Sequence, residues 1–480
     1  MSRTRLVLGL AALTSALAAC TTVGPNYALP ADSRYAQLQA QPLTLDTGDS
    51  TALDNTDAAV DAWWKLYDDP VLDSLVQQAL DNSIALRVAS GRLAKASAMY
   101  QQTAAAGGFD FGAEAGVQRA QVSAESFLQE EKLPVFNLAS GGFSASYQTD
   151  LFGKLRRATE AAQASAESVM AARDLARISV VAQVVGSYVE TCHLNHELHI
   201  AEHSIDLQQR THDLAQRMFK AGRGTSSTVD RAGAQLATQQ AALPPLRARK
   251  LAAEYELAEL LGRTPDQIPD GVDQCADAPE LARAIPVGDG GALLRRRPDV
   301  RRAERELHAA TAEIGVATAE LYPDITIGAS VGAAGLLDDF GKPATQEWSI
   351  GPAIHWSIPG DGAKARVEVA KAGQQLALAE FDEVVLNALR ETQTALSRYV
   401  QDLQRVQSLQ SALTLAQRAA DEDRRLYQAG RRPYLASLDA DRTRVASETA
   451  LADAQAQVSQ DQIRLFLALG GGWQQATATP

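Results

Sequence analysis

The sequence predicts a mainly α-helical protein with very long helices and a smaller β-barrel portion. Aromatic residues are only 5 % of the 480 residues, and long stretches rich in Ala, Leu, Gln, Glu and Arg contain no Pro, which is typical of long helices and coiled coils. The chain also repeats itself at a nearly constant offset. Each repeat contains two short segments in which large and small residues alternate, as in β-strands.

The N-terminus predicts export and a lipid anchor. A basic start, an apolar run and small residues form a secretory signal peptide over residues 1–19. Residues 17–20 read LAAC, which looks like a bacterial lipobox, so we expect Cys20 to be lipidated. An ordinary signal peptide with an incidental Cys is the alternative. The two residues after Cys20 include no Asp of the kind that retains lipoproteins at the inner membrane, which favours the outer membrane.

The composition excludes several classes of function. The formal net charge is -13 and no large basic patch occurs, so we expect no nucleic-acid partner. Beyond the N-terminus no run of 18 or more apolar residues occurs, which excludes a conventional membrane-spanning helix. No nucleophile, base and acid pattern and no phosphate loop stand out. We therefore expect neither an enzyme nor a cofactor.

Two similar halves make up the chain. RMFKAGRG at 217–224 recurs as RLYQAGRR at 425–432, an offset of 208 residues. DLFGKLRRA at 150–158 is answered by SIPGDGAKARVEVA at 357–370. The sequence therefore predicts a tandem duplication, each copy holding a helix, two strands and two long helices.

The long helices are predicted from apolar residues that step by three and four along the chain. No Pro occurs from Lys154 to Phe219, and a helix of that span would be about 100 Å long. Gly222 and Gly430 suit the left-handed position that closes a helix, and Pro433 suits the start of the next one. Each Ala-Gly-Arg sequence is therefore predicted to be the tip of a helical hairpin.

The strand segments predict a membrane sheet that one chain cannot close. Their length and their period of two fit transmembrane β-strands. An open sheet edge is not tolerated in lipid, and the smallest usual barrel has about eight strands. Several copies of the chain must therefore pool their strands. A soluble sheet at one end of a helical protein is the alternative.

Six blocks together resemble a known family. The chain is similar to the lipoprotein branch of the TolC-like outer membrane efflux factors, the branch of OprM and NodT. The match covers essentially the whole mature chain, in order. The blocks are TTVGPNY (21–27), WWKLYDDPVLDSLVQQAL (63–80), YQTDLFGKLRRA (147–158), LLRRRPDVRRAE (293–304), ELYPDITIGASVG (320–332) and YLASLDADR (434–442).

The resemblance implies a homotrimer that is the exit duct of a tripartite efflux pump. Four strands from each chain would form one barrel in the outer membrane, continued into the periplasm by helices and surrounded by an equatorial belt. Its partners would be a periplasmic membrane-fusion adaptor and, indirectly or weakly, an inner-membrane transporter of the resistance-nodulation-division (RND) class. The cargo would be drugs or other small molecules.

The resemblance also divides the chain. The expected parts are a signal peptide (1–19), a lipidated segment with part of the belt (20–70), a first repeat (71–262), a linker (263–292), a second repeat (293–470) and a tail (471–480). The expected strands are 107–118, 141–152, 323–334 and 347–358, with tips near 219–228 and 427–434.

A gate is implied at the second tip. In relatives, a Leu and an Asp one helical turn apart form successive constrictions, and these match Leu435 and Asp439. Three Leu side chains would form a dewetting ring and three Asp carboxylates a negative ring. Arg442 could pair with a neighbouring carboxylate and latch the closed state. A solvated or helix-packing face is the alternative for each residue.

Both tips are expected to touch the adaptor. The first tip has Thr228 where relatives often place a Leu followed by an acidic residue, so its gate contacts are left open. The residues expected to meet the adaptor are Gly222, Arg223, Thr225, Ser226, Gly430 and Arg431.

Two further constellations have more than one interpretation. Cys192 and Cys275 are the Cys residues beyond the N-terminus, and they form either a disulfide in the oxidising periplasm or two buried thiols. Of the seven His, His196, His199 and His203 fall on one helical face, which makes a zinc or copper site conceivable. They also continue the apolar seam, which favours a structural role and no metal.

Two other functions remain as alternatives. The chain could be the exit duct of type I protein secretion, or a structural coiled-coil lipoprotein that braces the envelope without conducting. The sequence does not specify the exported substrate.

Overall fold

The computed structural model describes residues 22–40, 45, 51–54, 62–121, 123–128, 130–358 and 360–471. The helices are α1 (Arg34–Gln39), α2 (Pro70–Asn82), α3 (Ile84–Ala105), α4 (Lys154–Lys220), α5 (Ser226–Leu260), α6 (Gly290–Arg296), α7 (Pro298–Ala319), α8 (Asp361–Gln428) and α9 (Tyr434–Ala468). The strands are β1 (Leu53–Asp54), β2 (Phe109–Ala120), β3 (Phe136–Thr149), β4 (Ile285–Pro286), β5 (Asp324–Leu336) and β6 (Gln346–His355). Within these residues, none of the helices combines the length and the apolar content needed to cross a membrane.

The chain divides into two compact units. The first, here the strand unit, comprises the described residues of Met1–Pro30, Arg92–Met170 and Arg302–Phe381. The second, here the helical unit, comprises those of Ala31–Gly91, Ala171–Arg301 and Asp382–Pro480.

The strand unit contains an antiparallel four-stranded sheet in the order β2-β3-β5-β6. β3 begins at Phe136, five residues before the expected start at 141, because Phe136 to Gly141 pair with the end of β2 from Ala120 back to Ala115. It also ends earlier, at Thr149. Asp150 follows, and its carboxylate accepts hydrogen bonds from the backbone N–H groups of Leu155 and Arg156, each at 2.9 Å. Asp150 therefore satisfies two free donors at the start of α4.

α4 and α8 are the long helices that the sequence predicts, with 67 and 68 residues. In the helical unit the apolar seam of α4 is buried, including Val184, Val185 and Val189. Trp63 stacks on Phe466 of α9 with ring centroids 4.5 Å apart. The hydroxyl of Tyr188 donates to Asp69 at 2.8 Å, and the other carboxylate oxygen of Asp69 caps α2.

A short parallel pair was not expected from the sequence. β1 pairs with β4, Leu53 opposite Ile285 and Asp54 opposite Pro286. Two-residue strands are too short to show a period of two, so the pattern could not indicate them. The pair fastens a segment near the N-terminus to the linker between the repeats.

Candidate functional site

One face of the four-stranded sheet is apolar and the other is polar or small. The register aligns Phe111, Ala145, Ala329 and Ile350 across the sheet. The next row on the same face holds Ala113, Phe143, Val331 and Trp348.

The residues between these rows point to the opposite face of the sheet. One row there consists of Gly112, Ser144, Ser330 and Ser349, and the last two hydroxyls are 2.8 Å apart. Large apolar side chains on the first face are exposed, with Phe111 at 76 % and Trp348 at 76 %. Water does not favour such a face, whereas a lipid layer does.

The sheet has two free edges. Among the described residues β2 pairs only with β3, and β6 pairs only with β5. The outward backbone groups of these two strands therefore need partners, and in lipid they cannot obtain them from water. An apolar face with two open edges is incomplete in a single chain.

The first hairpin tip ends α4 and starts α5. Gly222 has φ +70°, in the left-handed region, and the N–H of Arg223 donates to the carbonyl of Met218 at 2.9 Å. This is a Schellman closure, which favours Gly at that position. The Thr225 hydroxyl then accepts from the N–H of Thr228 at 3.3 Å and caps α5. Ser226 is the first residue of α5.

The second tip repeats this geometry 208 residues later. Gly430 also has φ +70°, and the N–H of Arg431 donates to the carbonyl of Leu426 at 2.8 Å. The difference lies at the next helix, where Pro433 occupies the cap position and makes no side-chain hydrogen bond. The two tips therefore share one closure but differ in how the following helix starts.

The predicted gate residues lie on the first three turns of α9. Leu435 is 53 % exposed, and Asp439 and Arg442 are exposed as well. Their spacing of four and then three residues places them on one helical face. Within the described part of the chain neither charged side chain has an ion pair. Arg442 borders a cavity of about 430 Å³.

The ion pairs at this tip involve residues that the sequence did not single out. Arg424 on α8 donates through Nη2 to Oδ1 of Asp441 on α9 at 2.8 Å. Arg432 pairs with Asp423. Gln216 and Gly233 occupy the positions 208 residues before Arg424 and Asp441, so the first hairpin cannot form an ion pair at these positions. Its two helices are joined farther from the tip, by Arg247–Glu202 and Arg249–Glu190. Seventeen residues separate the partners, so only the folding-back of the hairpin reveals the contact.

Cys192 and Cys275 form a disulfide, which decides between the two interpretations of the sequence. Their Cα atoms are 5.0 Å apart and 83 residues separate them. The side-chain amide of Asn195 donates to the carbonyl of Cys275 at 2.8 Å. The linker is thus bonded to α4 at one point by both a covalent and a hydrogen bond. Cys20, the predicted lipidation site, lies outside the described residues.

The His-rich part of α4 makes contacts with other protein groups. His193 is buried, and its Nε2 lies 2.9 Å from the Ser459 hydroxyl. Burial lowers the pKa of His193 to about 4. Nδ1 of His196 lies 3.2 Å from Oδ1 of Asp277. In the part of the chain that the structure describes, no three His, Cys, Asp or Glu side chains are arranged to hold a metal ion.

The family model for outer membrane efflux protein matches residues 75–263 and 291–471. The chain belongs to the outer membrane efflux protein family. Nodulation protein T of Rhizobium leguminosarum bv. trifolii is 28 % identical over 462 residues, which cover 94 % of each chain. The pyoverdine export outer membrane protein OpmQ of Pseudomonas aeruginosa is 30 % identical over 472 residues, covering 96 % of this chain and 97 % of OpmQ.

A solved structure of the outer-membrane channel OprN has the same fold. It is 32 % identical, covers 95 % of this chain and 100 % of its own, and superposes with a TM-score of 0.86. The predicted TolC-like fold class, with long helices and a sheet that contributes to a channel, is confirmed. This outer membrane efflux protein is a channel component of a tripartite pump and not an enzyme.

Proposed function

We propose that three copies of this chain close one barrel of twelve strands in the outer membrane and form a passive, gated duct. The observation that carries the proposal is the two-faced sheet with free edges at β2 and β6. Joining β2 of one copy to β6 of the next removes every edge and places the apolar rows toward lipid. The Ser and Gly rows then line a polar interior.

Leu435, Asp439 and Arg442 are proposed to form the gate at the periplasmic end. Three exposed Leu side chains around a common axis resist wetting, and three carboxylates one turn away attract cations and repel anions. Arg442 is the proposed latch, pairing with a carboxylate of a neighbouring copy. The exposure of all three side chains in a single chain leaves them free for contacts between copies.

The tips are proposed to dock onto a periplasmic adaptor, which links the duct to an inner-membrane RND-type transporter. Both tips present exposed residues at the end of a helical hairpin. The docking residues are proposed to be Gly222, Arg223, Thr225, Ser226, Gly430 and Arg431. Lipidation at Cys20 would anchor each copy in the outer membrane, since two or three acyl chains hold a protein firmly to a membrane.

The single-channel conductance and the mass of the purified assembly test the proposed duct and its gate. The purified protein in detergent should have the mass of three chains and form pores in planar bilayers. Replacing Leu435→Ala together with Asp439→Ala should raise the single-channel conductance. Leu415→Ala is a matched control, because Leu415 is also exposed but lies on α8 away from the tip. A monomer, or a trimer without pores, would instead favour the non-conducting envelope lipoprotein.

The cargo needs a separate test in cells. Deleting the gene should raise accumulation of small fluorescent dyes, and the wild-type gene should restore efflux. Cysteines at the six tip positions should form cross-links with the adaptor. Normal dye efflux together with loss of a secreted protein would favour type I secretion.

A further inference from the structure

The segment that follows Cys20 is held by a buried Arg. The Nε of Arg157 donates to the Val23 carbonyl at 3.2 Å, and its Nη2 donates to the Gly24 carbonyl at 3.3 Å and to Oδ1 of Asn26 at 2.7 Å. The N–H of Val23 donates to the Phe152 carbonyl at 3.1 Å. Four hydrogen bonds over residues 23–26 therefore fix this segment to the rest of the strand unit.

Glycine allows the segment to lie against α7. Gly24 has φ +84°, and a Cβ there would lie 2.4 Å from the Gly315 Cα. A Cβ on Gly315 would in turn lie 2.6 Å from Cγ of Arg157. The backbone contact excludes any larger residue at Gly24, and a larger residue at Gly315 would displace the Arg157 side chain. Gly24, Gly315 and Arg157 therefore interlock.

Tyr27 closes the other end of the segment. Its ring stacks on His308 with centroids 4.2 Å apart, and its hydroxyl donates to Glu304 at 3.3 Å. Glu160 accepts from Arg157 at 2.7 Å and lies 3.1 Å from Nε2 of His308. Burial acts to raise the pKa of Glu160, but these hydrogen bonds outweigh it and lower the pKa. Glu160 thus supplies the negative charge that the buried Arg157 needs.

The segment begins at one end of the sheet. Thr22 packs on Gly153, just past β3, and its hydroxyl accepts from Arg156 at 2.7 Å. Phe152 stacks on Tyr322 beside it, with centroids 4.5 Å apart. Two residues span at most about 7 Å in any conformation. A lipid attached two residues before Thr22 would therefore be anchored within reach of Phe152 and Tyr322.

The aromatic corner formed by Phe152 and Tyr322 has neighbours that are typical of the boundary between lipid and water. Just beyond β6, Trp356 is 53 % exposed and Ile358 is 82 % exposed. The indole N–H of Trp356 donates to the carbonyl of Leu321 at 3.3 Å, so the ring presents an apolar surface with its polar atom satisfied. Aromatic side chains with such a polar end are enriched at membrane interfaces.

The duplication supplies an internal comparison. Arg366 follows Gly362 by four residues, as Arg157 follows Gly153. The side chain of Arg366 is 60 % exposed and pairs with Glu320, whereas that of Arg157 is 4 % exposed. No N-terminal segment covers Arg366 among the described residues. The segment 22–27, and not the repeat itself, accounts for the burial of Arg157.

We propose that residues 22–27 form a rigid mount for the lipid on Cys20, with Arg157 as its positioning residue. The acyl chains enter the lipid layer beside Phe152 and Tyr322 and fix the depth at which the sheet sits in the membrane. This inference rests on the proposed lipidation and membrane insertion. The acyl chains on Cys20 bind the acyl layer of the surrounding lipid. Residues 22–27 connect these chains to the sheet rigidly, whereas a flexible linker would leave the depth of the sheet unrestrained.

Hydrogen exchange on the lipidated trimer in phospholipid nanodiscs tests the mount. Arg157→Met should speed exchange of the peptide spanning 22–30 by about tenfold or more, since local opening then needs no broken Arg contacts. Arg366→Met should leave that peptide unchanged. Arg157→Lys, which keeps the charge but loses the fork of donors, should give an intermediate rate. Equal protection in wild type and Arg157→Met would overturn the mount.

A nitroxide at Thr22→Cys reports the depth directly. The labelled protein with Arg157 intact should give the spectrum of an immobilised nitroxide at one depth near the interface. With Arg157→Met added, the spectrum should be that of a mobile nitroxide with a spread of depths. If Arg157→Met fails to fold, Asn26→Leu removes one contact and should show a smaller change in the same direction. Mass spectrometry must find acyl chains on wild-type Cys20, and an unmodified Cys20 would refute the lipid mount. Wild-type trimers that do not conduct would refute the proposed duct without altering the exchange contrast.

Discussion

Arg424 and Asp441 join the two helices of the second hairpin through a 2.8 Å hydrogen bond between Nη2 and Oδ1. They lie on α8 and α9, next to the proposed gate on α9. The Arg424 side chain is 40 % exposed and that of Asp441 is 25 % exposed, so water screens the pair in part.

We predict that Arg424→Gln favours the open gate. A partly exposed ion pair is worth about 0.2–1 kcal/mol, so its loss should shift the equilibrium between closed and open states by roughly 1.4- to fivefold for each chain. The open probability in planar bilayers measures the effect. Arg210→Gln is the control, since Arg210 pairs with Asp206 within a single helix. Equal open probabilities for Arg424→Gln and wild type would contradict a latch at this position.

Adjacent residues of β3 should respond oppositely to a charge. Ala145→Lys places an ammonium on the apolar face, where it costs about 2–4 kcal/mol at the centre of a bilayer. Ser144→Lys places it on the polar face, where water is available. We expect Ala145→Lys to reduce heat-stable, membrane-inserted trimer strongly and Ser144→Lys to leave it nearly unchanged. Similar losses for both variants would argue that neither face meets lipid.

The stability of the helical unit should fall below pH 6.5 because of His193. Burial lowers its pKa in the folded protein to about 4 from the ordinary value of 6.5. The unfolded chain therefore binds the proton first, and stability is lost as the pH falls from 6.5 to about 4. The full loss for this group is roughly 3 kcal/mol.

His193→Gln removes the titration and keeps a hydrogen-bonding side chain beside Ser459. Its denaturation midpoint, followed by Trp fluorescence, should fall less steeply with pH than that of wild type. His199→Gln is the control because His199 is exposed. Parallel pH curves for wild type and His193→Gln would exclude His193 as the cause.

Breaking the disulfide should destabilise the helical unit. It closes a loop of 83 residues, and in the chain-entropy account such a loop contributes on the order of 4 kcal/mol. Cys192→Ala with Cys275→Ala should lower the thermal midpoint, and a reductant should lower that of wild type but not of the double variant. Free-thiol labelling of denatured protein checks the bond itself: wild type should show no reactive thiol at either position.

Periodic features of the sequence predicted the helices and strands well, because their causes are local. The apolar steps of three and four place Val185 and Val189 in a buried seam, and alternation places Phe109, Phe111 and Phe143 on one sheet face. The fold class followed from these patterns and from the family resemblance.

Contacts between distant residues could not be predicted in the same way. Arg157 reaches residues more than 130 positions earlier in the chain, and nothing in its own neighbourhood distinguishes it from Arg366. The Cys192–Cys275 bond likewise depends on how the linker returns to α4. The gate role of Leu435, Asp439 and Arg442 stays a prediction, because it requires surfaces of other copies.

The Cys192–Cys275 bond makes the two hairpins mechanically unequal. The first tip, at Gly222, lies inside the loop that the bond closes, whereas the second, at Gly430, lies outside it. A pulling force on the first tip is therefore carried through a covalent ring at the root of that arm. The same force on the second tip is borne by noncovalent contacts, including the Arg424–Asp441 ion pair, so we expect the second arm to yield first.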